Sequence, residues 1–299
     1  MTTLGVRGGL SVDHLVIEGE GARFRQLGGP ALFAVLGARL VEDVDVRVST
    51  ALPEDDPRFA ALFDRLGVDR SFSAPVPHST RLWILNALEG RRIVDTAAPG
   101  ELELEADGAP VPEEDEVPSD PGFFRGLDAL LDSAPLRMPE TSVGTTVGID
   151  PHQVPMARAG LAYLRNVTPP GGLILPSRVQ LGLIDADVRA AARRIADELA
   201  TPVIARLDSE GMFVVDAGGG GTWTIRDDRV IVRETTGAGD ASAAAIMAAV
   251  ARGVDLVTAA MIGAAVARVA LADWGAAALL DAEPFTAPPV GVTATQEKK

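Results

Sequence analysis

Cysteine is absent from this 299-residue chain, and lysine is almost absent. Without cysteine there is no disulfide, no thiolate nucleophile and no zinc–thiolate centre, which leads us to expect a cytoplasmic protein. The two lysines, Lys298 and Lys299, are the last two residues. A Walker-A P-loop, the core strand of a protein kinase and a pyridoxal Schiff base each need a lysine within the folded body. The sequence therefore excludes these three kinds of site.

Positive charge and histidine are also scarce. Lys and Arg number 27 against 42 Asp and Glu, a formal net charge of −15, which argues against nucleic acid or an anionic membrane surface as a partner. The three histidines, His14, His78 and His152, are far apart and form no HxxxH or HExxH motif. We therefore expect no histidine-based metal site. No uncharged apolar run approaches the ~20 residues that cross a bilayer.

Strand-like and helix-like patterns alternate through most of the sequence. This alternation predicts an α/β fold with a largely parallel sheet that helices cover on both faces. Two Ala-rich helices are predicted at about 239–252 and 256–272, and Asp187 is a candidate N-cap for an earlier helix. The apolar run Val230–Arg233 predicts a short strand.

Two extended segments, at about 13–27 and 79–97, fit poorly into a parallel sheet. We predict that they form a small β-rich lid, discontinuous in sequence, on a single domain of residues 1–283. The stretch Pro99–Pro121 is rich in Glu, Asp and Pro and predicts a solvated surface loop. The tail 284–299 is predicted to be disordered.

The segment Thr235–Asp240 has the sequence TTGAGD and lies between a strand-like run and an Ala-rich helix. Glycines at a strand-to-helix turn leave the first backbone N–H groups of the helix open, and with the helix dipole these donors form an anion site. A carboxylate in the first helical turn, here Asp240, can accept the proton of a hydroxyl that attacks phosphorus. This chemistry requires no lysine.

These six residues resemble the second signature of the PfkB, or ribokinase-like, carbohydrate kinase family, usually written Asp-Thr-Thr-Gly-Ala-Gly-Asp. Gly28–Ala31 and the following helix resemble the N-terminal signature, and Ala205–Gly211 resembles a strand and turn near the ATP phosphates. The resemblance implies a ribokinase-like, Rossmann-type three-layer α/β core with a small β-rich lid. It also implies transfer of the γ-phosphoryl group of ATP, with Mg²⁺, to a hydroxyl of a sugar or sugar-like acceptor.

The resemblance also assigns roles to individual residues. Asp240 is the expected general base, and the expected donors to the developing charge are the amides of Gly237, Ala238 and Gly239. The expected acceptor contacts are Asp13, Gly28, Gly29 and Phe33. The expected ATP contacts are Arg206, Asp208, Gly211, Thr236 and Ala264. Gln180 is expected in the outer shell of the magnesium ion.

Four positions depart from the family pattern. Gln180 replaces a glutamate, Phe33 stands near an expected asparagine, Glu234 replaces the aspartate before the two threonines, and Ala264 replaces an asparagine. Because Phe33 and Trp83 offer aromatic rings, a nucleoside kinase of the same fold is an alternative. A family member that binds nucleotide or sugar without transferring phosphate is another. The chain lacks the third glycine of a dinucleotide fingerprint, which disfavours an NAD-dependent oxidoreductase. The lid edges make a homodimer possible.

Overall fold

Helices and strands alternate along the chain in the computed structural model, which describes residues 2–87, 90–96, 120–133, 135–217, 220–285, 287 and 290–297. The strands are β1 Thr2–Arg7, β2 Ser11–Ile17, β3 Gly21–Gly28, β4 Val44–Ser49, β5 Ala51–Pro53, β6 Ala74–Val76, β7 Thr80–Ala87, β8 Gly90–Thr96, β9 Ala129–Ser133, β10 Thr146–Asp150, β11 Leu173–Ile174, β12 Val203–Arg206, β13 Met212–Asp216, β14 Gly221–Asp227 and β15 Val292–Gln296. The helices are α1 Pro30–Ala38, α2 Arg58–Arg65, α3 Gln153–Ala159, α4 Leu161–Val167, α5 Arg178–Gly182, α6 Val188–Leu199, α7 Ala238–Ala251, α8 Leu256–Leu271 and α9 Ala277–Asp281. Most of the predicted loop at Pro99–Pro121 lies outside the described residues.

The main sheet of the described residues has nine strands, in the order β15-β14-β13-β12-β11-β10-β9-β1-β4. From β4 to β12 neighbouring strands pair in parallel, whereas β13, β14 and β15 are antiparallel. The carboxyl ends of the parallel strands therefore meet at one edge of the sheet, where ligands bind in open α/β folds.

Helices cover the sheet on both faces. One apolar cluster joins α1, α7, α8 and α9 to one face, and a second joins α3, α4, α5 and α6 to the other. This is the three-layer α/β architecture predicted from the sequence. The Ala-rich helix α7 is buried along almost its whole length, because small side chains let it fit between the sheet, α1 and α8.

A separate four-stranded sheet, in the order β3-β2-β7-β8, forms the lid. It combines the two sequence segments predicted for it, since β2 pairs with β7 in parallel while β3 and β8 flank them in antiparallel pairs. Leu15 and Ile84 on its inner face pack against Trp274 of the body. The other face carries Trp83, whose ring stacks on His14 at 4.6 Å between centroids.

Two local predictions are confirmed and one is wrong. The Ala-rich helices begin and end within one residue of the predicted positions. Asp187 caps α6, since its side chain accepts hydrogen bonds from Arg189 N and Ala190 N. No strand forms at Val230–Arg233, where Ile231 is exposed. The backbone N–H of Arg233 instead donates to the carbonyl oxygen of Leu271 at the end of α8.

The C-terminal segment corrects the predicted disordered tail. Val292–Gln296 forms β15 and pairs with β14 at the edge of the main sheet. Glu297 fixes this strand from its end, because its carboxylate accepts a hydrogen bond from Arg193 at 2.7 Å. No helix in the described part of the chain is long and apolar enough to cross a membrane.

Candidate active site

The candidate site lies at the carboxyl edge of the main sheet, where three segments meet under the inner face of the lid. β10 ends at Asp150, β12 ends at Arg206, and the turn Glu234–Gly237 leads into α7. The lid contributes Asp13 from β2. Side chains from distant parts of the sequence are thereby brought together where parallel strands end.

The turn before α7 has the geometry predicted for an anion site. Gly237 is the N-cap residue and adopts φ 75°, a left-handed conformation that glycine adopts without strain. Ala238 begins the helix, and Gly239 in the first turn is exposed. Two of the three residues that open this 14-residue helix, Gly237 and Gly239, thus carry no side chain that could cover its first amides. The roles expected for Gly237, Ala238 and Gly239 stay predictions.

Phe33 lies beneath this turn, in the core. Its ring is 2% exposed, and a Cβ on Gly237 would come within 2.1 Å of it. This burial argues against the predicted contact of Phe33 with the acceptor, which stays a prediction. The physical reason is the packing of α1 on α7, which turns this face of α1 into the core. Phe33 and Gly237 fix the position of the turn by close contact.

Glu234 holds the same turn from the side. Its carboxylate is 2% exposed and accepts hydrogen bonds from Thr235 N at 2.9 Å, Thr236 N at 2.7 Å and Thr236 Oγ1 at 2.6 Å. It also accepts from Gly275 N at 3.2 Å and from Asn86 of the lid at 3.4 Å. The side-chain hydroxyl of Thr236, an expected ATP contact, is thus the donor of one of these hydrogen bonds. Glu234 thus connects the turn, the body and the lid.

Asp240 stands in the first turn of α7 and is half-buried. Burial raises the pKa of its carboxyl to about 6, and the negative charge of Asp150 adds to the rise. Arg206 and Arg91 oppose the rise in this pKa. A carboxylate tuned in this way is ionised at neutral pH and is a better proton acceptor than an ordinary aspartate.

Arg206 lies against the turn, and its guanidinium group also donates hydrogen bonds to the ends of neighbouring strands. Its Nη2 donates to Asp150 Oδ1 at 2.7 Å and to the carbonyl oxygen of Leu175 at 2.6 Å. A side chain on Gly239 would come within 3.1 Å of its Nη1. Its Nε is buried and has no hydrogen-bond partner among the described residues. The structure thus places Arg206 where an arginine could contact phosphate, with its orientation fixed by Asp150.

On the lid side, Asp13 is 2% exposed and accepts a hydrogen bond from Ser11 Oγ at 2.7 Å. Burial raises the pKa of its carboxyl to about 6. A Cβ on Gly28 would lie 1.9 Å from Asp13 Oδ2, so only glycine leaves this oxygen room. Gly29 adopts φ 93°, and a side chain there would meet the backbone of Leu10 at 2.6 Å. Both glycines therefore shape the surroundings of Asp13.

Three expected ATP contacts occupy different environments. Asp208 is exposed and forms an ion pair with Arg178 at 3.2 Å. Gly211 allows the close approach of β13 and β14, since its Cβ would lie 2.0 Å from the carbonyl oxygen of Ile225. Ala264 is 6% exposed within α8. Gly211 and Ala264 thus have packing roles that account for them without a nucleotide.

Gln180, expected in the outer shell of the magnesium ion, takes part in local hydrogen bonds, and its role toward the metal stays a prediction. Its Oε1 accepts a hydrogen bond from Ser177 N at 2.6 Å, and its Nε2 donates to the carbonyl oxygen of Pro151 and approaches Asp150 Oδ1 at 3.5 Å. The side chain therefore completes the capping box of α5. Among the described residues no group of three or more His, Asp or Glu side chains could hold a metal ion. The site does not fit a protein-bound Mg²⁺ cage.

The sequence analysis did not identify two residues of the site. Asp150 ends β10 and contacts Arg206, and its position directly after the apolar run Val147–Ile149 was the available signal. Arg91 extends from β8, and its Nη2 lies 3.5 Å from Thr236 Oγ1. No local motif marks Arg91, because only the pairing of β7 with β8 brings it over the turn.

Comparison with known proteins supports the resemblance seen in the sequence. The model of the pfkB family carbohydrate kinases matches residues 180–283, about a third of the chain. This match includes the turn and α7, and it confirms that the chain resembles this family. A search of curated protein sequences finds no match.

Solved structures match nearly the whole chain at low identity. Ribokinase from Thermotoga maritima superposes with TM-score 0.66 at 19% identity, over 93% of this chain and 96% of that one. A nucleoside kinase from Burkholderia thailandensis in complex with inosine gives 0.66 at 16%, over 92% of both chains. A putative ribokinase II from E. coli in complex with ATP and Mg²⁺ gives 0.68 at 14%, over 92% and 94%. These likenesses confirm the ribokinase-like fold.

Proposed function

We propose that this protein is an ATP-dependent kinase that transfers the γ-phosphoryl group to a hydroxyl of a small sugar or sugar-like acceptor. The observation that carries the proposal is Asp240, a carboxylate with a pKa raised to about 6, in the first turn of a helix whose leading amides are open. A hydroxyl nucleophile needs a proton acceptor, and a phosphoryl group needs donors to its oxygens. The turn offers both within a few residues.

The chain's own residues divide the work in this reaction. Asp240 takes the proton from the attacking hydroxyl, while the amides of Gly237, Ala238 and Gly239 donate to the oxygens of the transferring phosphoryl group. Asp13 accepts hydrogen bonds from other hydroxyls of the acceptor and so orients it. The inner face of the lid excludes water, which limits hydrolysis of ATP.

Magnesium neutralises phosphate charge when it accompanies ATP. Because Asp150 is paired with Arg206 and Gln180 with Pro151, we propose that the nucleotide phosphates and water supply most of the ligands of this ion. Adding Mg²⁺ without nucleotide should therefore leave the thermal midpoint of unfolding unchanged.

The nature of the acceptor pocket favours a hydroxyl-rich compound. A buried carboxylate such as Asp13 is destabilised by about 1–3 kcal/mol if no hydrogen-bond donor replaces the water that it gives up. Sugar hydroxyls are such donors. The aromatic residues that suggested a nucleoside lie elsewhere, Phe33 under the turn and Trp83 on the outer face of the lid. A nucleoside can still bind through its ribose hydroxyls, so it remains in the test. The possible homodimer and the cytoplasmic location remain predictions.

An acceptor screen tests the proposal. Wild-type protein and Asp240→Asn are incubated with ATP and Mg²⁺ across sugars, polyols and nucleosides, and release of ADP is measured. We expect acceptor-dependent release with the wild type and almost none with Asp240→Asn. If no acceptor raises ADP release above the level of the variant, the protein binds without transferring phosphate and the proposal is wrong.

A further inference from the structure

Arg91 occupies a defined place on the inner face of the lid. Across the β7–β8 hairpin, Arg91 pairs with Asn86 and Ile93 pairs with Ile84. Ile84 packs against Trp274 of the body, and Asn86 donates to Glu234, so this face of the hairpin is the one turned to the site. The side chain of Arg91 therefore extends toward the turn before α7 and not to the outer face of the lid.

The guanidinium group of Arg91 is close enough to both carboxylates of the site to act on them electrostatically. Its positive charge lowers the pKa of both Asp13 and Asp240, against the larger rise that burial causes in each. Its Nη2 lies 3.5 Å from Thr236 Oγ1, which is the one polar contact of this side chain among the described residues. The group is thus close to the turn but only weakly held there.

Arg206, the other arginine at the turn, is in a different situation. Its Nη2 is committed to Asp150 Oδ1 and to the carbonyl oxygen of Leu175. The folded body has no lysine to add a further charge. Arg91 is exposed and so is the arginine with donors left to offer an incoming anion.

We propose that Arg91 is a catalytic residue that contacts the phosphoryl group during its transfer. This inference rests on the proposed kinase function. In the step, a bond forms between the acceptor oxygen and the γ-phosphorus, and the bond to the bridging oxygen breaks with its electron pair leaving on ADP. The acceptor proton passes to Asp240. The planar guanidinium of Arg91 donates to two phosphoryl oxygens, on which charge is spread in the transition state.

The chain offers a matched control for this proposal. Arg92 is the next residue on β8, is also exposed, and pairs with Leu85, so it points to the opposite face of the lid. Arg91→Ala, Arg91→Lys and Arg92→Ala are compared with the wild type, with the acceptor identified by the screen. We expect Arg91→Ala to lower kcat by about 10²–10³-fold, somewhat less than the range for arginines that act on transferred phosphoryl groups. Arg91→Lys should restore part of the rate, and Arg92→Ala should retain more than half of it.

Adding guanidinium ion to the variants distinguishes a catalytic role of Arg91 from a structural one, because a merely structural role would leave kcat unchanged by the added ion. We expect it to raise kcat of Arg91→Ala at least tenfold and to leave Asp240→Asn unchanged. Thermal unfolding of each variant shows whether it is folded, and Arg91→Lys with the rescue keeps the proposal testable if the alanine variant is unstable.

Three outcomes would overturn the inference. If the wild type transfers phosphate and Arg91→Ala stays within twofold of it, the kinase function stands and the role of Arg91 is wrong. If Arg91→Ala raises KM only for acceptors that already carry a phosphate, with kcat unchanged, Arg91 binds the acceptor's own phosphate instead. If the wild type transfers phosphate to no acceptor, the proposed function and this inference fall together.

Discussion

Asp13 and Asp240 have pKa values raised to the same level, about 6, for partly different reasons. Asp13 lies in the lid, and burial dominates its shift while the Ser11 hydroxyl opposes it. Asp240 lies in the body, where the charge of Asp150 adds to the effect of burial. Charged neighbours act on both groups, but for Asp240 the charge of Asp150 is second only to burial, whereas for Asp13 the charges of Arg91 and Glu234 count for less than the Ser11 hydrogen bond.

The largest effect is expected from removal of the proposed base, Asp240. Asp240→Asn keeps the shape of the side chain but cannot accept the proton, so we expect kcat to fall by about 10²–10⁴-fold. Affinity for ATP should change little, because the amides of α7 remain. Steady-state kinetics and nucleotide titration check both values. A variant that keeps more than half of the wild-type kcat would exclude Asp240 as the base.

Asp13→Asn should act on binding more than on the chemical step. The amide keeps one acceptor oxygen but loses the charge that strengthens hydrogen bonds from hydroxyls. We expect KM for the acceptor to rise about 10–100-fold, with a smaller effect on kcat. Asp64→Asn serves as the control, because Asp64 lies in α2 and its exposed carboxylate is paired with Arg70. An unchanged KM for the acceptor would remove Asp13 from the binding site.

The pH dependence of the rate separates the two carboxylates. Since Asp240 is protonated below its pKa of about 6, kcat should fall as pH decreases through about 6. Asp150→Asn removes the negative charge that raises this pKa, so the acidic limb of kcat should move to lower pH by up to about one unit. Asp13→Asn should leave that limb in place. A limb that follows Asp13 and not Asp150 would reverse the assignment.

Gln180→Glu is expected to have the smallest effect. For this variant the family pattern and the structure predict opposite effects on the use of Mg²⁺. The family pattern alone predicts that a glutamate here would improve the use of Mg²⁺. In the structure the new carboxylate would lose the donor to Pro151 and lie beside Asp150, at a cost of about 1–3 kcal/mol. We therefore expect a lower midpoint of thermal unfolding and no decrease in the Mg²⁺ concentration for half-maximal rate. A clear decrease would restore Gln180 to the outer shell of the metal.

The features of the fold and of the site that were predicted correctly from the sequence are mostly those that neighbouring residues determine. The turn Thr235–Asp240 and the N-cap Asp187 follow from neighbouring residues, because backbone conformation and capping act over a few positions. The lid was predicted from two extended segments that do not fit a parallel sheet. Asp13 and Gly28 were identified by resemblance, and the structure adds the 1.9 Å approach that explains the glycine.

The parts that were missed depend on contacts between distant segments. Phe33 lies on the helix face that α7 covers, and a nine-residue helix that is buried nearly all round shows no periodicity from which to infer this face. Arg91 is near the turn only because of the register of β7 and β8. The strand β15 was missed because a Pro- and Thr-rich tail has weak strand character until β14 offers it an edge.

The position of Trp274 has a consequence for spectroscopy. The chain has three tryptophans, and this one is packed between the body and the lid against Leu15 and Ile84. Its indole N–H is buried and has no hydrogen-bond partner in the part of the chain that the structure describes, and Arg23 of β3 lies over its ring at 5.3 Å. Displacement of the lid would move that arginine and admit water to the indole, which shifts emission to longer wavelength. The intrinsic fluorescence of Trp274 therefore gives an optical measure of lid position without an added label.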